Sequence, residues 1–320
     1  MTRATTTTNV ELDGQYRLLR EEAGLVDRSE RGKLVLRGAD TAEYLQGQLT
    51  NDVEALEPGE GQYAALLDRK GRMQGDLRLL RLDADRFWID TETIALPAIA
   101  RHLGMYKIGR EVELEDETEA WAILSVIGPG TEAAVGTAIG PEHSHEEAAL
   151  GGSRVRAVAT DSGADLLVPA ADAAAVREAL GAAGVAETAP EAAEILRVES
   201  GRPRFGAEMT TETIPQEAGL NERAVSFTKG CYIGQETVAR LHYKGKPNRH
   251  LRGLRLSAPA EAGDPVRLGE RELGRIGTAV LSPARGAIAL AILRREAEPG
   301  ATVEVGADGN EAEVVEVPFE

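Results

Sequence analysis

The run of residues best equipped for chemistry is Lys229-Gly230-Cys231-Tyr232-Ile233-Gly234-Gln235-Glu236-Thr237, which holds the only cysteine of the sequence. Two glycines flank the thiol region, a lysine precedes it, and the pattern predicts a helix starting near Gly234. A thiol beside a cation and near a helix N-terminus gains thiolate character, the form that attacks electrophiles or binds metals. The competing reading is a buried small hydrophobe, the commoner fate of a free cysteine. No cysteine–histidine protease pattern accompanies it, because His242 and His250 lie in a basic stretch without a carboxylate to orient them. The five histidines show no metal-ligand spacing, and His143-Ser144-His145 reads as a solvated loop. A lone cysteine also excludes an internal disulfide framework and any metal site built from several cysteines. No metal is expected.

The charge distribution adds a second pointer. Net charge is −17, which repels nucleic acid and anionic membranes over most of the surface. Between Glu222 and Arg255, however, eight basic residues face two acids. Such a concentration in an acidic protein suits an anionic ligand or partner. Aromatic residues make up 4% of the chain and do not interleave with the basic run, which argues against nucleic acid, since single strands need stacking platforms.

Elements that could position these groups follow from the patterning. Gln15–Gly24 reads as an amphipathic helix and Lys33–Arg37 as a strand. Asp40 with Glu43 forms a capping-box pattern for a helix to about Leu49. Strands are predicted at Gln62–Leu67, Met73–Leu82 and Arg86–Thr91, joined by turns at Asp68–Gly71 and Asp83–Asp85, with a helix near Ile94–Leu103. A second mixed unit follows, with strands at Glu111–Leu114, Ala120–Ile127, Arg154–Thr160 and Ala164–Val168 and helices at Gly130–Ala138 and Ala170–Ala183. After the linker Lys244–Asn248 only short strands between Gly and Pro turns remain, the signature of a small β-barrel or sandwich. The fold class is therefore α+β rather than a doubly wound parallel sheet.

With 320 residues and 42% hydrophobic content, the chain can bury large cores. No stretch of about 18 apolar residues exists to span a membrane. Met1–Asn9 is a Thr-rich polar tail without the apolar segment of a secretory signal, so a cytoplasmic protein is expected.

The segment Lys229-Gly-Cys-Tyr-Ile-Gly-Gln-Glu236 resembles the signature motif of the YgfZ folate-binding family, relatives of the glycine-cleavage T-protein, an aminomethyltransferase. Tyr44–Asp52, Asp68–Leu77, Arg197–Gly201 and Ile214–Leu220 are similar to further segments of that family in order and spacing. The resemblance implies a three-lobed ring around tetrahydrofolate, two α+β lobes at residues 10–245 and a C-terminal β-barrel at 246–320. It also implies roles for individual residues. Glu199 would anchor the pterin, since a carboxylate can accept two hydrogen bonds from an aminopyrimidine edge. Asp76 would handle the folate amine and the aminomethyl group, with Tyr63 beside it. Lys229 would contribute to cofactor binding, and Cys231 would act as a catalytic, redox or partner-facing thiol. T-protein usually carries two aspartates in its hairpin strand. Here the first is Gly75, and Asp90 stands in place of a later asparagine. Two activities follow as expectations: assistance to iron–sulfur enzymes as clients, and folate-dependent aminomethyl transfer or demethylation.

Overall fold

A computed structural model describes residues 9–320; the Thr-rich stretch read as a polar tail falls almost wholly outside the described residues. The chain forms two compact units, each built from two separate stretches. One comprises the stretch up to Glu30 together with Thr118–Leu196, and the other Arg31–Glu117 with Arg197–Glu320.

The first unit is a six-stranded sheet in the order Ala186–Glu187, Gly24–Asp27, Trp121–Ile127, Gly163–Pro169, Ser153–Thr160 and His145–Leu150. Only the Gly24–Asp27 pairing with Ala186–Glu187 is parallel. Leu124, Val126, Leu166 and Val168 alternate into a core covered by Val176 and Leu180 of the helix Ala173–Ala182. Two expectations are corrected here. The N-terminal helix is Asn9–Glu21, and Gly24 already opens a strand, paired with Ala186 and Ile127 and packed so closely that a Cβ there would lie 2.6 Å from a Leu19 methyl and 2.9 Å from a Thr188 methyl. His145 is not in a solvated loop; it opens a strand and is buried, its Nδ1 lying 3.0 Å from Arg156 Nη1.

The second unit holds a five-stranded antiparallel sheet and a closed barrel. The sheet order is Gly61–Leu67, Met73–Arg81, Arg86–Thr91, Gly32–Arg37 and Glu113–Asp116. Helices Thr41–Gln48 and Leu96–Tyr106 supply Tyr44, Leu45, Ile99 and Leu103 to its core. The barrel closes through six strands: Arg249–Leu256, Gly286–Arg294, Arg271–Ser282, Pro265–Leu268, Thr302–Val305 and Asn310–Val315. Alternating residues such as Leu254, Ala289, Ala291 and Val314 fill its interior. The expected capping box does not form. Asp40 takes the N-cap position, but its Oδ2 accepts from the Glu111 amide at 2.8 Å, and Glu43 pairs instead with Arg110. Among the described residues no helix is long and apolar enough to cross a membrane.

Candidate functional site

Strand alternation places Asp76. Its neighbour Gly75 faces the helix Leu96–Tyr106, where a Cβ would come within 2.8 Å of the Ala95 Cβ and 2.9 Å of Ile99. Successive strand residues point to opposite faces, so Asp76 turns away from that helix. Position 75, where the resemblance implies an aspartate, therefore has no room for a side chain unless Ala95 and Ile99 shift. Asp76 is itself buried, at 7% exposure. Tyr63 sits opposite Arg78 and Asp76 opposite Ala65 in the antiparallel ladder, so the two meet on the diagonal. The Tyr63 hydroxyl donates to Asp76 Oδ2 at 2.5 Å, and Thr91 Oγ1 donates to the Asp76 carbonyl at 2.5 Å.

Asp76 Oδ1 is buried and has no hydrogen-bond partner among the described residues. Leaving such an acceptor unsatisfied costs about 1–3 kcal/mol, which a ligand N–H would recover. Burial pushes the Asp76 carboxyl above its ordinary value and Glu92 adds to the effect, while the Tyr63 hydrogen bond and Arg31 oppose it. Burial, reinforced by Asp76, also holds the Tyr63 phenol well above its usual range.

A basic frame surrounds this pair. Arg223 lies over the Tyr63 ring, 5.3 Å from its centroid. Asp90, 1% exposed, is locked between Arg31 Nε at 3.0 Å and Arg78 Nε at 2.7 Å, and Arg31 also pairs with Glu92. Both Asp90 oxygens are thus committed to arginines. Its place in the ladder opposite Arg78 and Lys33 explains why a charge is tolerated there.

Glu199 is the last residue of the helix Pro190–Glu199, and it is buried at 7% exposure rather than solvated. Its Oε1 accepts from Ser282 Oγ at 2.5 Å, and its carbonyl accepts from the Phe319 amide at 2.9 Å. Gly201 follows with φ +68°, and a Cβ there would lie 2.4 Å from the Val317 Cβ. Glycine alone lets the C-terminal segment close on this helix end.

The cysteine motif is anchored by its lysine. Lys229 Nζ donates to the carbonyls of Gln46, Leu49 and Asn51 at 2.6, 2.8 and 2.8 Å, at the end of helix Thr41–Gln48. An ammonium has three hydrogens, and all three are used. The expectation that Lys229 grips a ligand thus meets a geometry in which it staples two loops together. Burial lowers its pKa to about 8, against the pull of Asp52 and Glu54. Cys231 is exposed. Beyond it, Gly234 has φ +85° and packs against the hairpin turn, since a Cβ would meet Asp68 O at 2.5 Å and Gly71 Cα at 3.2 Å. Two motifs distant in sequence thereby touch through glycines. Arg240, Lys244 and Lys246 of the basic run are exposed along and just after the helix Gln235–Lys244.

The structure therefore joins Tyr63 directly to Asp76, sets Glu199 against the barrel, and seats Lys229 and Cys231 in a separate loop. A cavity of about 350 Å³ lies in the same unit, and Tyr63, Asp76 and Glu199 are not among its lining residues. Ser200 and Gly201, which follow Glu199, line it together with Arg223, the residue covering Tyr63, and Arg252. Arg223 and Ser282 were not singled out from the sequence. Arg223 lay within the basic run, whereas nothing in the spacing marked Ser282. Among the described residues no cluster of His, Cys, Asp and Glu could hold a metal ion.

Comparison with known proteins gives the family. The GCVT N-terminal domain matches residues 6–229, and the glycine cleavage T-protein C-terminal barrel domain matches residues 249–319. The chain is 29% identical to an aminomethyltransferase of Rubrobacter xylanophilus, over 96% of this chain and 86% of that protein. It is 31% identical to an aminomethyltransferase of Symbiobacterium thermophilum, over 95% and 88%. The crystal structure of the glycine cleavage system aminomethyltransferase T from Bartonella henselae superposes with a TM-score of 0.87 at 22% identity, covering 98% of this chain and 91% of that one. That likeness confirms the α+β fold with its C-terminal barrel, and the two domain matches show that the chain belongs to the glycine-cleavage T-protein family of aminomethyltransferase-like proteins.

Proposed function

We propose that the protein binds tetrahydrofolate and passes a one-carbon unit to or from it, as aminomethyltransferases do. Tetrahydrofolate is the family's one-carbon carrier and supplies the accepting nitrogen when bound. The observation that carries this reading is the buried, unpartnered Oδ1 of Asp76, held in place by the Tyr63 hydrogen bond on Oδ2. A carboxylate so placed accepts a hydrogen from a folate amine and stabilises positive charge that develops on it. Glu199 would bind the pterin edge, and Arg223 would lend positive potential beside Tyr63, whose ring it covers. The test is ammonia release from a lipoyl carrier protein bearing an aminomethyl group, in the presence of tetrahydrofolate. Turnover by the wild type that drops at least 100-fold in Asp76→Asn supports transfer. No turnover under saturating folate contradicts it.

One observation favours a second reading, a YgfZ-type accessory to iron–sulfur enzymes. Cys231 is exposed within a motif whose lysine serves to hold the loop. A single thiol cannot hold a cluster, which normally needs four protein ligands, so Cys231 would act with a partner. A deletion strain assayed for iron–sulfur enzyme activities, complemented by wild type or Cys231→Ala, tests this. Rescue that requires the thiol supports it, and equal rescue by both removes Cys231 from the account.

A further inference from the structure

The hydrogen-bond polarity at Ser282 is forced. The amides of Ala284 and Arg285 both donate to its Oγ, at 3.1 and 2.9 Å. A hydroxyl has one hydrogen and two lone pairs. With both lone pairs occupied, the hydrogen has one destination, Glu199 Oε1 at 2.5 Å. Oε1 is therefore the acceptor of this bond. Ser282 is 2% exposed, so water does not compete for it.

The local fold explains why this hydroxyl is so well placed. Ser282 closes the strand Arg271–Ser282 and pairs with Gly286 at the neck of a barrel hairpin, where Gly286 has φ +74°. The two turn amides that fill its lone pairs belong to the same hairpin. The carboxylate it meets lies 83 residues away, at the end of a helix.

We propose that Ser282 is a positioning residue for the folate ligand: its single hydrogen bond sets the plane of the Glu199 carboxylate that meets the pterin. The proposal rests on the reading of Glu199 as the pterin anchor. It gives the C-terminal barrel a part in ligand affinity, exerted through Glu199.

The test is a calorimetric titration of tetrahydrofolate into the wild type, Ser282→Ala, Glu199→Ala and the double variant. Ser282→Ala should weaken binding about tenfold, as expected for one hydrogen bond to a charged group. In the Glu199→Ala background it should add nothing. Ser282→Thr should retain affinity and Ser282→Val should lose it, a pair of equal shape that separates the hydroxyl from packing. Unchanged affinity in Ser282→Ala, with weak binding by Glu199→Ala, overturns the proposal and leaves the Glu199 reading intact. An equal loss in both backgrounds means Ser282 acts through the fold and also overturns it. Wild-type affinity in Glu199→Ala removes the reading itself.

Discussion

The Tyr63 hydroxyl reaches Asp76 Oδ2 at 2.5 Å across a hairpin and leaves Oδ1 of the same carboxylate buried without a partner. One oxygen orients the group and the other is left for a ligand. Tyr63→Phe should therefore keep the fold and lower the affinity for tetrahydrofolate by about tenfold, through loss of a hydrogen bond to a charged acceptor. A calorimetric titration checks this, and an unchanged dissociation constant would separate Tyr63 from the site.

The same burial predicts a pH-dependent stability. The Asp76 carboxyl titrates above its ordinary value in the folded protein, so the folded state binds its proton more tightly than the unfolded chain. Stability is then lost as pH rises from the unfolded value of 3.8 through the folded one, and ionised Asp76 is a net cost at pH 7. Asp76→Asn should raise the melting temperature at neutral pH by roughly a few degrees, and the gain should vanish below the unfolded value. A gain that grows toward acid pH would show that the sign is wrong.

Lys229 gives the opposite linkage. Its folded pKa of about 8 lies below the ordinary lysine value of 10.5, so the buried cation costs stability below pH 8 and the cost is relieved as pH rises between the two values. Lys229→Met leaves three carbonyls unsatisfied and should destabilise by about 3 kcal/mol at pH 7. Lys229→Arg should not rescue it, because a planar fork cannot meet three converging carbonyls. Denaturant unfolding at pH 7 and pH 9.5 measures both effects, with the wild-type advantage over Lys229→Met larger at the higher pH.

Gly75→Asp tests whether the chain can be returned to the two-aspartate pattern of T-protein. The new carboxylate would be driven against Ala95 and Ile99 in the packing under the helix Leu96–Tyr106. A destabilisation of at least about 3 kcal/mol is expected, from overpacking plus an unpaired buried charge. A stable variant with enhanced transfer would mean that the strand can re-register.

Much of this arrangement was legible in the sequence because it is local. The hairpin of Gly61–Leu67 and Met73–Arg81 follows from alternation around an Asp-Arg-Lys-Gly turn, and the barrel from short strands between Gly and Pro turns. Local patterns misled where a distant backbone group outbid them. Asp40 gave its carboxylate to the Glu111 amide instead of to its own helix, and Lys229 turned from the neighbouring thiol to carbonyls about 180 residues away. Ser282 was illegible because nothing in its own surroundings names Glu199 as its partner. The burial of Asp76 and Glu199 likewise depends on tertiary packing, which their sequence neighbours do not disclose.

The central claim, that Glu199 and Asp76 hold tetrahydrofolate, is tested most directly by one calorimetric comparison of the wild type with Glu199→Ala. Loss of a charge-assisted, bidentate pairing should weaken binding tenfold or more, roughly 1.5–3 kcal/mol, at a temperature where circular dichroism shows both proteins folded. Saturable binding by the wild type with that loss in the variant is the predicted result. No binding heat from the wild type, or equal affinity in the two proteins, would contradict the account.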